Sequence, residues 1–171
     1  MRVTYNREMK MKEHLDELDI ENFIPMHYDL IDTDDGRKKV LVPAIHNLIF
    51  VHATQSDLTN LKMTNPLFEP LRYIMKPVLH AQSQKEILFV PDHQMDNFMR
   101  VASVQDDSVR FLDCNDFISK IGKQVRITAG PFNGVEGVIK RIKKNKYVVV
   151  QIEGVAAVAV TYVPSNCLEA I

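Results

Sequence analysis

Apolar residues recur at a helical period in parts of the first hundred positions and alternate strictly toward the C-terminus. Met11, Leu15 and Leu18 fall at i, i+4 and i+7, which predicts a helix over Arg7–Asp19 with one buried face and Asn6 as its N-cap. Arg2–Tyr5 ahead of it, Phe23–Asp29 after it, and the branched runs Lys39–Val42 and Asn47–Ala53 predict strands. Asp35-Gly36 lies between two of these runs and suits a hairpin tip. Ser56 caps a short helix through Met63 that Pro66 limits, and Leu71–Lys76 is a further strand. Pro91 fits the first position of a helix, with Asp92 in the turn where the dipole favours an acid, and Met95, Phe98, Met99 and Ala102 are its expected buried face.

From Lys123 onward the period is 2. Val125 and Ile127 alternate with Arg126 and Thr128, and short strands at Val138–Ile142, Tyr147–Ile152 and Val155–Val163 are separated by Gly130–Gly134 and Lys144-Asn145 turns. Several short strands within about 50 residues predict a small closed sheet without helices. Residues 103–119 mix four aspartates with Phe111, Leu112 and Phe117 and read as a partly ordered linker.

Charge reinforces this division. The 171 residues carry 21 Lys+Arg and 22 Asp+Glu, a net of −1. Residues 1–118 hold 13 basic and 19 acidic side chains, whereas residues 119–171 hold 8 and 3. Such asymmetry points to two domains with different partners. Two cysteines, Cys114 and Cys167, supply neither a disulfide framework nor a four-thiolate zinc site. The longest uncharged run, Val40–Ser56, contains Pro43, His46, Asn47 and His52 and is no membrane span. The first residues show no apolar secretion core, so a cytoplasmic protein with no membrane association is expected.

Ile121-Gly122-Lys123-Gln124-Val125-Arg126-Ile127 through Gly130-Pro131-Phe132-Asn133-Gly134 to Gly137-Val138-Ile139 resembles a KOW motif, in the frame G-x-x-V-x-I-x-x-G-P-F-x-G-x-x-G-x-I. KOW domains occur in ribosomal proteins and in the NusG transcription factors. The order strand, helix, Asn22–Met26, acidic loop and then Val42–Val51 resembles the NusG N-terminal domain, whose central strand has the form P-G-Y-x-F-V. The resemblance implies an α+β fold: a NusG N-terminal α/β sandwich-like domain at 1–105, a linker at 106–119 and a small all-β KOW (SH3-like) barrel at 120–171. Departures exist. The family opens its first strand with Trp-Tyr and this chain has no Trp, which leaves open whether Met1 is a native start. Asn47-Leu48 stands where Gly-Tyr is common, and the loop after Phe132 is shorter than in the housekeeping factor. These features resemble the specialised UpxY-type antiterminators of capsular polysaccharide operons.

The resemblance also implies site residues. Tyr5, Leu48 and Phe50 would line an apolar depression for the clamp helices of the largest RNA polymerase subunit, with Thr59 and Asn60 reaching the opposite side of the cleft. On the first helix Arg7, Lys10 and His14, at i, i+3 and i+7, form a stripe that would meet the non-template DNA strand. An ordinary solvated face is the alternative for that stripe, and core packing the alternative for Leu48 and Phe50. Phe132 at a loop tip, with Lys140 and Arg141 of the basic run, would contact ribosomal protein S10 or the terminator Rho. The alternatives there are packing of Phe132 on its own barrel and simple surface charge.

Three function classes follow. The first is a monomeric elongation regulator that suppresses pausing and termination by biasing the clamp, with no cofactor. The second, a ribosomal or RNA-binding KOW protein, predicts basicity throughout, which the acidic first 118 residues oppose. The third, an enzyme, lacks a catalytic constellation: there is no phosphate loop, and His46 and His52, six residues apart on one strand, stand roughly 20 Å apart, too far to share a metal ion.

Overall fold

The computed structural model describes residues 1–34, 36–78, 84–112, 122–142, 145–161 and 163–171. Asp35, residues 113–119 of the expected linker with Cys114, and Lys143 and Lys144 of the basic run lie outside the described residues. The first half contains β1 (Arg2–Val3), α1 (Glu8–Glu17), β2 (Asn22–Phe23), β3 (Met26–Thr33), β4 (Gly36–Pro43), β5 (Phe50–Val51), α2 (Gln55–Thr64), β6 (Leu71–Arg72), β7 (Met75–Pro77) and β8 (Lys85–Ile87). Then come α3 (Asp92–Ala102), β9 (Val109–Phe111), β10 (Gln124–Ile127), β11 (Glu136–Ile142), β12 (Asn145–Ile152), β13 (Ala156–Val160) and β14 (Leu168–Ala170). The fold is α+β, with an all-β C-terminal sheet. It forms two compact units, Met1–Pro25 with Val42–Phe89, and Met26–Leu41 with Val90–Ile171.

In the first unit, β1 pairs with β6 and β2 with β5, both antiparallel. Met11 and Leu15 of α1 are buried as their spacing predicts, together with Val3, Ile49, Leu58 and Phe68. Leu18 is not: α1 ends at Glu17, and Asp19 adopts a left-handed φ of 54°. The Ile20 and Asp19 N–H groups donate back to the Leu15 and Asp16 carbonyls, a Schellman closure that turns the chain away and leaves Leu18 half exposed. Asn6 does not cap α1; it is itself left-handed, with φ 51°, and Arg7 occupies the cap position. The cap of α2 is Thr54 rather than Ser56, its Oγ1 accepting the Asp57 N–H at 3.1 Å.

In the second unit, a six-stranded antiparallel sheet runs in the order β14-β10-β11-β12-β13-β9. Its alternation is that of the sequence: Val125 and Ile127 are buried, Gln124 and Arg126 exposed. The turn between β10 and β11 requires its glycines, since Gly130 and Gly134 have φ of 80° and 85°. Strand β13 departs from alternation, because all five of its residues are buried. Ala157 and Ala159 cluster with Val149 and Leu112, and α3 packs against β12, β13 and β9. Helix α3 buries Phe98, Val101 and Ala102, while Met95 and Met99 are half-buried.

The segment expected to be a linker contributes a strand. Val109–Phe111 pairs with Val160–Val158 of β13, and the Leu112 N–H extends the ladder to the Ala157 carbonyl at 3.0 Å. The physical reason is the exposed edge of β13, which satisfies its backbone groups with the nearest extended apolar segment. Helix α3 and most of the β3–β4 hairpin group with the barrel strands rather than with residues 1–25.

Candidate functional site

Tyr5 is an exposed aromatic of the first unit, at 82% of its full accessibility. The Arg7 guanidinium lies over its ring, 5.4 Å from the centroid. Tyr5, Asn6 and Asn47 all have φ between 51° and 63°, a region that costs a side chain of ordinary shape roughly 1–2 kcal/mol per residue and that Asn tolerates best. Hydrogen bonds hold them there. The Asn6 N–H donates to Asn47 Oδ1 at 2.9 Å, the Asn47 N–H donates to Glu8 Oε1 at 3.2 Å, and the Val3 N–H donates to the Asn47 carbonyl at 3.0 Å. Glu8 is buried, its Oε1 lies 3.8 Å from His46 Nδ1, and its Oε2 has no hydrogen-bond partner among the described residues. The first turn of α1 thus fixes the loop that presents Tyr5 and Arg7.

Arg7 at the cap of α1 and Lys10 in its first turn are both exposed. His14 follows on the same stripe but is turned inward. Its ring meets Phe68 edge-on, centroids 6.2 Å apart, and Nδ1 is 3.5 Å from Glu17 Oε2. An exposed aromatic with a guanidinium over its ring is a combination that stacks a base and neutralises a phosphate.

Leu48 and Phe50 do not line an open depression. Leu48 is fully buried and Phe50 is 8% exposed, its ring 6.5 Å from Phe23. Arg2 bridges to Leu48, and Phe23 is in register with Phe50, so this strand lies between neighbours. Ile49 between them is equally buried. A strand covered on both faces reads as a continuous apolar run, and here neither alternate set faces out. Thr59 shares a hydrogen bond with the Tyr73 hydroxyl at 2.8 Å, whereas Asn60 is exposed. Beneath Tyr73, Lys62 donates to the Leu71 carbonyl at 2.7 Å, and burial, with Arg72 nearby, pulls its pKa down.

On the barrel, Phe132 is 6% exposed rather than projecting. The turn around it closes on itself, with the Gly134 N–H on the Ile127 carbonyl at 2.7 Å and the Val135 N–H on the Phe132 carbonyl at 3.0 Å. Two α3 side chains hold it from outside. Arg100 Nη2 donates to the Asn133 carbonyl at 2.7 Å, and Asn97 Oδ1 accepts the Glu136 N–H at 3.4 Å. The apolar ring therefore tucks in, the solution that avoids hydrating it. Lys140 is also buried, at 7% exposure; its Nζ donates to Gln151 Oε1 at 3.2 Å, and desolvation lowers its pKa. Arg141 remains exposed.

Sequence reasoning missed the Glu8–Asn47–Asn6 network and the Asn97 and Arg100 contacts. The first had a signal, since Asn is the residue most at ease in left-handed backbone. The second had none, because exposed polar positions of a helix do not announce their partners.

Residues 1–99 match the family model described as transcription termination factor nusG, and residues 121–153 match the KOW motif. No curated protein matches. Among solved structures, one described as "Domain interaction in Thermotoga maritima NusG" is 17% identical, with a TM-score of 0.41, covering 99% of this chain and 94% of that one. With its N-terminal match spanning more than half of the residues and a KOW motif following it, the chain belongs to the NusG family of transcription elongation and antitermination factors.

Proposed function

We propose that this protein binds RNA polymerase through residues 1–105 and promotes processive elongation, serving specific operons of the capsular polysaccharide kind rather than every transcript. Its mechanism is a biased equilibrium: bound across the cleft, it favours the closed clamp by its differential affinity for that state, and no covalent step is needed. The reading rests chiefly on the exposed Tyr5–Arg7–Lys10 surface in the segment that matches the nusG model. Tyr5 offers a ring to a polymerase helix or an unpaired non-template base, and Arg7 and Lys10 attract the phosphates. Asn60 is the remaining exposed polar contact toward the far side of the cleft, and Arg141 is the barrel residue available to ribosomal protein S10 or Rho.

Pull-down of polymerase from lysate with the full chain tests this. Capture that weakens severalfold for Arg7→Glu/Lys10→Glu, more at low than at high salt, supports it, because exposed charge attraction is screened over about 10 Å at 0.1 M salt. Undiminished capture by that variant removes the surface from the site, and no capture by the wild-type chain rejects the polymerase reading. A transcription assay on a capsular operon template against an unrelated one decides operon selectivity.

A further inference from the structure

The turn between β10 and β11 holds a chemistry that polymerase binding does not use. Asn133-Gly134 is the only Asn-Gly step in the sequence. Asparagine is among the thermolabile residues, and a glycine after it puts no side chain between the next backbone nitrogen and the carboxamide carbon. Asn133 is exposed, and its side-chain amide makes no hydrogen bond with any described residue, so the electrophilic carbon is open. The nucleophile is not. The Gly134 N–H donates to the Ile127 carbonyl at 2.7 Å, and the Asn133 carbonyl, in the same peptide unit, accepts Arg100 Nη2 at 2.7 Å. One side of this peptide is therefore held by the barrel and the other by α3.

From this arrangement we infer that Asn133 is a self-modification site kept latent by α3: when Arg100 releases the turn, the Gly134 nitrogen closes on the Asn133 side chain and the residue deamidates. The Gly134 N–H gives its proton to hydroxide, and the nitrogen forms a bond to Asn133 Cγ. The Cγ–Nδ2 bond breaks, and Nδ2 takes a proton from water and leaves as ammonia. Water then opens the resulting succinimide. Cleavage at Cγ gives aspartate, and cleavage at the backbone carbonyl carbon gives isoaspartate; water is the only co-reactant. The two hydrogen bonds on the peptide act in opposite directions. A guanidinium on the Asn133 carbonyl favours the ionised peptide, whose charge that oxygen shares. The Ile127 carbonyl opposes ionisation, and it prevails because a hydrogen-bonded amide releases its proton only when its segment opens. The product is a new anion beside Arg100 or, as isoaspartate, an extra backbone carbon between Gly130 and Gly134, whose left-handed φ values shape the turn. That longer backbone loosens the seat of the buried Phe132 ring. A chain whose turn has been drawn away from α3 is thereby marked irreversibly.

The test is incubation of the full chain at mildly alkaline pH, with aspartate and isoaspartate at position 133 followed by peptide mapping and mass spectrometry. Polymerase is absent, so the outcome is independent of the polymerase reading. The native chain is expected to deamidate at Asn133 far more slowly than the same chain in urea. Arg100→Ala, where its circular dichroism is native, is expected to deamidate there about tenfold faster than the parent, because the same opening frees the Gly134 amide. A second readout needs no variant: in the parent chain, the slowing relative to urea is expected to match the hydrogen-exchange protection of the Gly134 amide within severalfold. A native rate equal to the urea rate overturns the proposal, as does a mismatch of orders of magnitude between slowing and protection. An Arg100→Ala rate no faster than the parent's also overturns it: equal rates show that the helix does not guard the turn, and a slower rate shows that the guanidinium promotes the attack. Absence of product even in urea removes the site altogether.

Discussion

Arg100 on α3 donates to the backbone carbonyl of Asn133 at 2.7 Å, so a helix side chain holds the turn that carries Phe132. Asn97, three residues earlier on that helix, accepts the Glu136 N–H just beyond the turn. The two contacts bracket the glycine-bounded segment and leave its aromatic facing inward. A partner that grips this turn must first displace α3 from it.

Arg100→Ala is expected to loosen the turn without unfolding the sheet. A hydrogen bond from a charged donor is worth about 1.5–3 kcal/mol net, and less where it is exposed. Amide exchange at Gly134 and Val135 is expected to accelerate about tenfold, near 1.4 kcal/mol of local opening. Unchanged exchange there shows that the contact carries no energy.

Phe132→Ala is expected to destabilise the barrel rather than only an interface. Truncating a buried Phe costs about 3–5 kcal/mol, and Phe132 is nearly inaccessible. Thermal melting reads this directly. Native stability with lost partner binding shows instead that the ring is a surface anchor.

The barrel and the inward turn illustrate how far the sequence alone reaches. Gly130 and Gly134 announce a turn because their backbone conformations exclude most other residues, and the Val125/Ile127 alternation fixes which face is inside. The same local signals are silent on what covers a face. Nothing adjacent in sequence to Phe132 names Arg100 or Asn97, and nothing near Val109 names β13 as its partner. Leu48 and Phe50 alternate with Ile49 regardless of whether one face or both are packed; the register with Arg2 and Phe23 decides it. For the stripe on α1, spacing placed Arg7, Lys10 and His14 together, but the direction of the His14 ring follows from Phe68, over fifty residues away.

Leu48→Asp is expected to prevent folding of the first unit, because an unpaired carboxylate in a fully buried site costs several kcal/mol. Phe50→Ala is expected to cost about 3 kcal/mol or more and to lower the melting temperature together with polymerase capture. A variant of either kind with a native circular dichroism spectrum, native stability and lost capture argues for an open polymerase-binding face instead.

Glu8 separates two effects that its burial combines. Glu8→Gln keeps an oxygen for the Asn47 N–H and is expected to change stability by about 1 kcal/mol or less. Glu8→Ala leaves that half-buried N–H without its acceptor, at about 1 kcal/mol or more, and releases the left-handed residues from their tether. Urea titration is expected to rank Ala well below Gln. Equal midpoints show that the carboxylate does not organise the Tyr5 loop.

Lys140 yields a prediction in pH. Burial disfavours its ammonium form, so its pKa in the fold lies below the usual lysine value, while in the unfolded chain it returns to about 10.4. The unfolded state therefore binds more protons across the interval between the two values, and stability contributed by this site rises as pH increases through that interval. Below the folded-state pKa the full desolvation penalty is present; above the unfolded value it is gone. Lys140→Met keeps the stem opposite Tyr147 and removes the titration. The difference in unfolding free energy between Lys140→Met and the parent chain is expected to shrink as pH rises toward the unfolded lysine value. It is expected to be constant at lower pH, where the ammonium is protonated in both states. Chemical denaturation at a series of pH values from neutral up to about 10.4 measures this difference. A gap independent of pH across that interval shows that Lys140 titrates as it does in water and that its amine reaches solvent.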